Sequence, residues 1–188
     1  NGYAGVWHMG AEIKDSTSNR NDAEVVTATA ADGLAGGSRY FSDAYIRIPD
    51  NKSLDPAQLT VSVWCKHYGN SGYSYDRILD KGYNNGYAMN LYNYSLAPGF
   101  SFNNSPYVYS WQNEDASHGV WHYMVGTYDG NAARLYVDTV ERNSYARTTD
   151  MPDSPYNLIM GMNSSMGTRF LGYLDEVRVS SVGRSADW

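Results

Sequence analysis

Apolar side chains recur at every second position along almost the whole chain, and no stretch repeats them at helical spacing. Successive side chains of an extended strand point to opposite faces, so a period of two marks strands with one face buried. The segment LTVSVWCKH sets Leu59, Val61, Val63 and Cys65 against Thr60, Ser62, Trp64 and Lys66. The segment VWHYMVGTY sets Trp121, Tyr123 and Val125 against Val120, His122 and Met124. YAGVWHMG, YIRIP, ARLYVD, NLIMGM and RFLGYLDEVRVS continue the pattern, and DNKSLDPAQ, YNNGY, YDGN and TTDMPDSP supply turn residues between the runs. Pro56 can open a single short helical turn. Several strands carry apolar residues on both faces, which two antiparallel sheets packed face to face would satisfy. The expectation is an all-β sandwich of about a dozen short strands.

With 188 residues the chain suits one domain spanning 1–188. Its net charge of −6 argues against nucleic acid as a partner, because phosphate binding needs a positive field. A cation or a neutral glycan is compatible with it. The lone Cys65 excludes an internal disulfide and a cysteine zinc framework, and its strand context reads as a buried thiol. No apolar run is long enough to span a bilayer, so no membrane insertion is expected. No signal peptide and no initiator Met open the sequence, so it reads as a processed piece of a larger protein. Low charge with many polar aromatics points to an exported, extracellular protein.

Residues 68–118 break the pattern, with interrupted strands rich in Tyr, Asn, Gly and Ser. Loops on a rigid scaffold are where binding concentrates. Tyr83, Tyr87, Tyr92, Tyr94, Tyr109 and Trp111, with Tyr73, Tyr75 and Tyr107, are candidates for stacking on sugar rings. Arg77, Asn84, Asn85 and Asn90 are candidates for reading hydroxyls. The plain alternative for each ring is that it fills the core or props a loop. Catalysis lacks its signature. A retaining glycosidase needs carboxyls about 5 Å apart, and no Glu-x-Asp-x-x-Glu strand exists here. Glu114 and Asp115 lie in a loop, and no nucleophile elbow, phosphate loop or His-Glu-x-x-His helix is present.

The run DSTSNRNDA (15–23) crowds side-chain oxygens together. It fails as an EF-hand, since Arg20 stands at the sixth position and Val26 at the twelfth. It is either an Asx-turn loop or half of a metal site that needs another carboxylate from elsewhere. In YLDEV, regular alternation would put Asp175 and Glu176 on opposite faces. If Leu174 and Val177 both face the core, the strand must bulge there, and Asp175 could turn toward the opening loop.

Four blocks in order carry a resemblance: GYAGVWHMG with DSTSNRNDA, LTVSVWCKH with ILDKGYNNGYAMNLY, GVWHYMVGTYDGNAARLYVDTVERN, and FLGYLDEVRVSSVGRSADW. Together they resemble the bacterial and archaeal laminin-G-like domains of the concanavalin-A-like lectin/glucanase superfamily. The resemblance implies a jelly-roll sandwich of two curved antiparallel sheets. It also implies a structural calcium ion, with Asp15, Asn21 and Asp175 as ligands, Asp175 standing where the family's C-terminal acidic residue falls. It further implies a secreted or cell-surface module that binds a glycan or a cell-surface protein for a larger protein. A filament or adhesin subunit that self-associates is the alternative, and a polysaccharide hydrolase or lyase is the third reading. Two stretches depart from the family: Asp138-Thr139 stands where Asp-Gly is usual, predicting a hairpin that is wider or of a type other than the two-residue I′ turn, and Ser18 and Arg20 stand where Gly is common.

Overall fold

The computed structural model describes residues 2–69, 72–82, 84–93, 95–102, 107–110 and 116–188. Numbered in chain order, the strands form two antiparallel sheets. Sheet I runs β13 (Val140–Ala146), β12 (Ala132–Val137), β11 (Trp121–Tyr128), β6 (Leu59–His67), β15 (Gly172–Ser180), β4 (Gly37–Phe41), β3 (Thr29–Asp32). Its remaining strand, β1 (Tyr3–Trp7), pairs with the second half of β15, while β4 pairs with the first half. Sheet II runs β10 (Tyr107–Tyr109), β9 (Ala97–Phe102), β8 (Tyr87–Tyr92), β7 (Tyr75–Lys81), β14 (Leu158–Met160), β5 (Ile46–Ile48), β2 (Val25–Val26). The two sheets make the all-β sandwich that the alternation predicts.

The core between them is built from the alternating sets. Leu59, Val61, Val63 and Cys65 of β6 and Met124 and Tyr128 of β11 share one apolar cluster with Met89 and Leu91 of β8 and Phe100 and Phe102 of β9. A Cβ at Gly126 would lie 2.3 Å from the Phe100 ring, so this glycine admits a sheet II aromatic against the centre of sheet I. Cys65 is buried, and that burial, with Asp76 nearby, pushes its thiol pKa far up, which leaves it unreactive. His67 of β6 and Asp76 of β7 join the sheets directly through a fully buried 2.6 Å contact.

Strand β15 bulges. Leu174 and Val177 are both buried in the core, and the pairing with β6 slips between Asp175 and Arg178. Glu176 takes φ +48° in that slip. The helical turn opens four residues before Pro56 and ends ahead of it. It is a 3-10 turn over Lys52–Leu54, and the Asn51 side chain caps it by accepting from the Ser53 N–H at 3.0 Å.

The hairpin after β12 overturns the sequence expectation. It is the two-residue type, with Val137 paired to Val140 and positive φ at Asp138 (+50°) and Thr139 (+71°). Asp138 accounts for it. Its carboxylate accepts from the Tyr123 N–H at 2.8 Å and meets His122 Nδ1 at 2.7 Å, so β11 holds the turn in place. Arg20 likewise occupies a left-handed position, φ +55°, where the family commonly carries Gly.

Two outcomes follow. A β-branched residue in the left-handed region costs about 1 kcal/mol, so Thr139→Gly is expected to raise the unfolding free energy by roughly that amount in chemical denaturation. Burial raises the Glu176 carboxyl pKa, but the hydrogen bonds from Arg178 and His8 outweigh it and hold the group below its usual 4.5. A depressed carboxyl gives stability that is present above pH 4.5 and lost as pH falls through the folded pKa. Acid titration of unfolding should therefore show a loss below that pH, and Arg178→Met should flatten it.

Candidate ligand-binding face

Tyr87, Met89 and Leu91 of β8 point into the core, so Ala88, Asn90 and Tyr92 point to the outer face of sheet II. Register then fixes the rows across that face. Tyr75 stands opposite Tyr92, Arg77 opposite Asn90, Asn90 opposite Gly99, and Gly99 opposite Tyr109. The next row places Asp80 beside Ala88, Ser101 and Tyr107. The four tyrosine rings form a chain, with centroids 5.2 Å apart for Tyr75–Tyr92, 6.2 Å for Tyr75–Tyr109 and 5.5 Å for Tyr107–Tyr109. Gly99 is required here, because a Cβ would lie 2.3 Å from the Tyr109 ring that crosses the strand.

Beneath the half-buried rings lies a buried polar floor. Arg77 is 6% exposed and its Nε sits 3.5 Å from Asp80, which is itself fully buried. Asp80 also accepts from the Gly82 N–H at 2.7 Å. Desolvation, then the neighbouring Tyr75 phenol, push the Tyr109 hydroxyl well above its ordinary pKa, so it remains a neutral donor and acceptor. Apolar ring area beside fixed hydrogen-bonding groups is what sugar recognition needs.

Of the residues singled out in the sequence, Arg77, Tyr92 and Tyr109 come together here with Tyr75, Tyr107 and Asn90. Tyr87 does not; it is a core residue with no exposure. Asn84 and Asn85 sit in the β7–β8 turn, at the opposite end of the hairpin from Tyr75 and Tyr92. That is about 20 Å away at strand rise. Tyr83, Tyr94 and Trp111, with Glu114 and Asp115, lie outside the described residues.

The three calcium candidates occupy two separate sites. Asp15 accepts four hydrogen bonds, from the N–H groups of Val6 (3.0 Å), Thr17 (2.9 Å) and Asn21 (2.9 Å) and from the Thr17 hydroxyl (2.8 Å). Asn21 turns its amide nitrogen to the Ala4 carbonyl and the Ser53 hydroxyl. Asp175 instead holds the β3–β4 turn, accepting from the N–H groups of Leu34 (2.8 Å), Ala35 (3.2 Å) and Glu176 (2.8 Å). A calcium ion needs about 6–8 oxygens with free lone pairs. These carboxylates already face rings of donors, and among the described residues no group of three or more His, Cys, Asp or Glu is placed to hold a metal. The three residues do not fit the ion.

Sequence reasoning missed the outer face of sheet I. Trp64, Trp121, Tyr123 and Tyr173 all lie there half-exposed. The available signal was the alternation itself: Trp64 and Lys66 fall on the register opposite Val63 and Cys65, where a plain sandwich carries small polar residues.

The profile of the concanavalin A-like lectin/glucanases superfamily, in its laminin-G form, matches residues 40–188. The chain belongs to this superfamily. No curated protein matches the sequence. Among solved structures it is similar to the binding domain of a paraclostridial mosquitocidal protein, with a TM-score of 0.78 and 15% identity over 99% of this chain and 50% of that one. It is also similar to domain 4 of AbnA, an extracellular arabinanase of Geobacillus stearothermophilus, solved in complex with arabinotriose. That match has a TM-score of 0.76 and 18% identity over 98% of this chain and 95% of that one. The binding domain of a botulinum neurotoxin of serotype D/C gives 0.76 and 11% over 99% and 50%. The chain thus spans about half the length of the toxin binding domains. At these identities the likeness establishes the jelly-roll fold.

Removing the buried Asp15 carboxylate strands four donors, so Asp15→Ala should lower stability by about 3 kcal/mol. That loss should be the same in chelator and in millimolar calcium, read from thermal unfolding of the variant and the wild type.

Proposed function

We propose that this laminin-G-like module binds a glycan, without catalysis, on behalf of an extracellular protein. The ligand lies along the outer face of sheet II, its C–H faces on the tyrosine rings and its hydroxyls on their phenol groups, which the buried Arg77–Asn90 row beneath them positions. The observation that carries the reading is the convergence of Tyr75, Tyr92, Tyr107 and Tyr109 above the Arg77–Asn90 row. A likeness to an arabinanase domain solved with arabinotriose, and to toxin domains described as binding domains, supports a binding role. Asp175 and Glu176 are already engaged, Asp175 by turn N–H groups and Glu176 by His8 and Arg178, and this supports a non-catalytic reading. Among the described residues no helix is long and apolar enough to cross a membrane.

A glycan array with the purified chain tests this. Tyr92→Ala and Arg77→Lys, the second keeping charge but losing the planar fork, should each weaken the positive glycans about tenfold, the equivalent of one good contact. An empty array, or affinities that neither change moves, would sink the proposal.

A further inference from the structure

The opposite face of the sandwich holds a second arrangement of rings and charges. Register places Trp121 of β11, Lys66 of β6, Tyr173 of β15 and Tyr40 of β4 in one row across the outside of sheet I. Tyr40 and Tyr173 are directly paired, with centroids 4.8 Å apart, and cross-strand stabilisation of the sheet accounts for them. Trp121 is different. Pairing between β11 and β12 begins only at Met124, so among the described residues no strand flanks Trp121 on that side. Its ring stands 6.3 Å from that of Tyr173 at 59°, across the Lys66 strand, and the two form an open notch. The Lys66 ammonium lies 5.4 Å from the Tyr68 ring and 5.8 Å from the Tyr173 ring. The far wall is Ala31 and Asp32 of β3. Asp175 holds the turn that joins this strand to β4. The resulting cleft has a volume of about 450 Å³, within the range of small-ligand sites.

The geometry points to a second carbohydrate site in this cleft, selective for a neutral sugar ring with adjacent free hydroxyls. Lys66 can only donate and Asp32 can only accept. A ligand carrying net charge would be drawn to one wall and repelled by the other. A sugar hydroxyl both donates and accepts, so neighbouring hydroxyls satisfy both walls at once, while the C–H face of the ring rests on Trp121 and Tyr173. The site uses no residue of the sheet II face and stands whether or not that face binds glycans. If both bind, the module carries two sites back to back and can bridge two glycan chains.

Indole N–H resonances of tryptophan-labelled protein, with Trp121 assigned from a Trp121→Phe spectrum, provide the test. The probes are arabinotriose, xylotriose, cellotriose and mannotriose at millimolar concentration. At least one probe should shift the Trp121 signal in the wild type and equally in Arg77→Lys. Asp32→Ala and Lys66→Met, checked for unchanged melting, should each weaken that response about tenfold. The proposal is overturned if no probe moves the Trp121 signal, or if its response survives both wall changes. It is also overturned if the response disappears in Arg77→Lys, because Trp121 would then be reporting the other face.

Discussion

The bulge at Asp175–Glu176 is the constraint around which the other parts are arranged. Strand β15 lies in the middle of sheet I, between β6 on one side and β4 and then β1 on the other. Strict alternation through Leu174-Asp175-Glu176-Val177 would send either a carboxylate into the core or Val177 out of it. An unpaired buried carboxylate costs several kcal/mol, whereas a left-handed residue costs about 1–2 kcal/mol. The bulge is the cheaper solution, and Glu176 at φ +48° is where the strain sits. Both carboxylates then turn away from the core. Asp175 fixes the β3–β4 turn, and Glu176 joins His8 at 2.6 Å to Arg178 at 2.6 Å.

That bulge was legible in the sequence, because two core residues separated by two carboxylates leave no regular strand. Its consequence was not. Alternation says which way a side chain points, but not which loop will meet it, so Asp175 found the backbone of the 33–36 turn rather than the Asp15 loop. The same limit explains Tyr87: its composition suggested a binding loop, while its register with Met89 and Leu91 placed it inside. Strand β3 escaped notice because, as an edge strand exposed along most of its length, it carries no alternation to read. Thr139 misled because its own φ preference is overruled by the two contacts that its neighbour Asp138 makes to β11.

Where the family leads one to expect a metal, this chain ties its loops with its own donors. The Asp15 carboxylate is ringed by N–H and O–H groups. A second example is Lys81, fully buried at the end of β7. Its ammonium sits among Asp50 (2.7 Å), Asp55 (3.1 Å) and the carbonyls of Ser154 (2.8 Å) and Tyr156 (3.0 Å). Four oxygens around one positive charge is the environment a cation site would offer, filled covalently. Burial raises the Asp55 pKa, with Lys81 offsetting part of that rise. The cost of desolvation is therefore met locally, and the loop at 151–157 is anchored to β7 without an external ion.

A sandwich has only two broad faces, and its interior here is occupied by a continuous apolar core. Sheets pack about 10 Å apart, so one small ligand cannot touch both outer faces. Aromatic rows on both of them therefore imply two separate contacts rather than one enlarged site. A single weak sugar contact gains little on its own. Two contacts on one chain gain from effective concentration, provided that the ligand can reach both. On a surface displaying many repeats of one glycan that condition is met by neighbouring chains, and binding strength then rises without any improvement in either cleft.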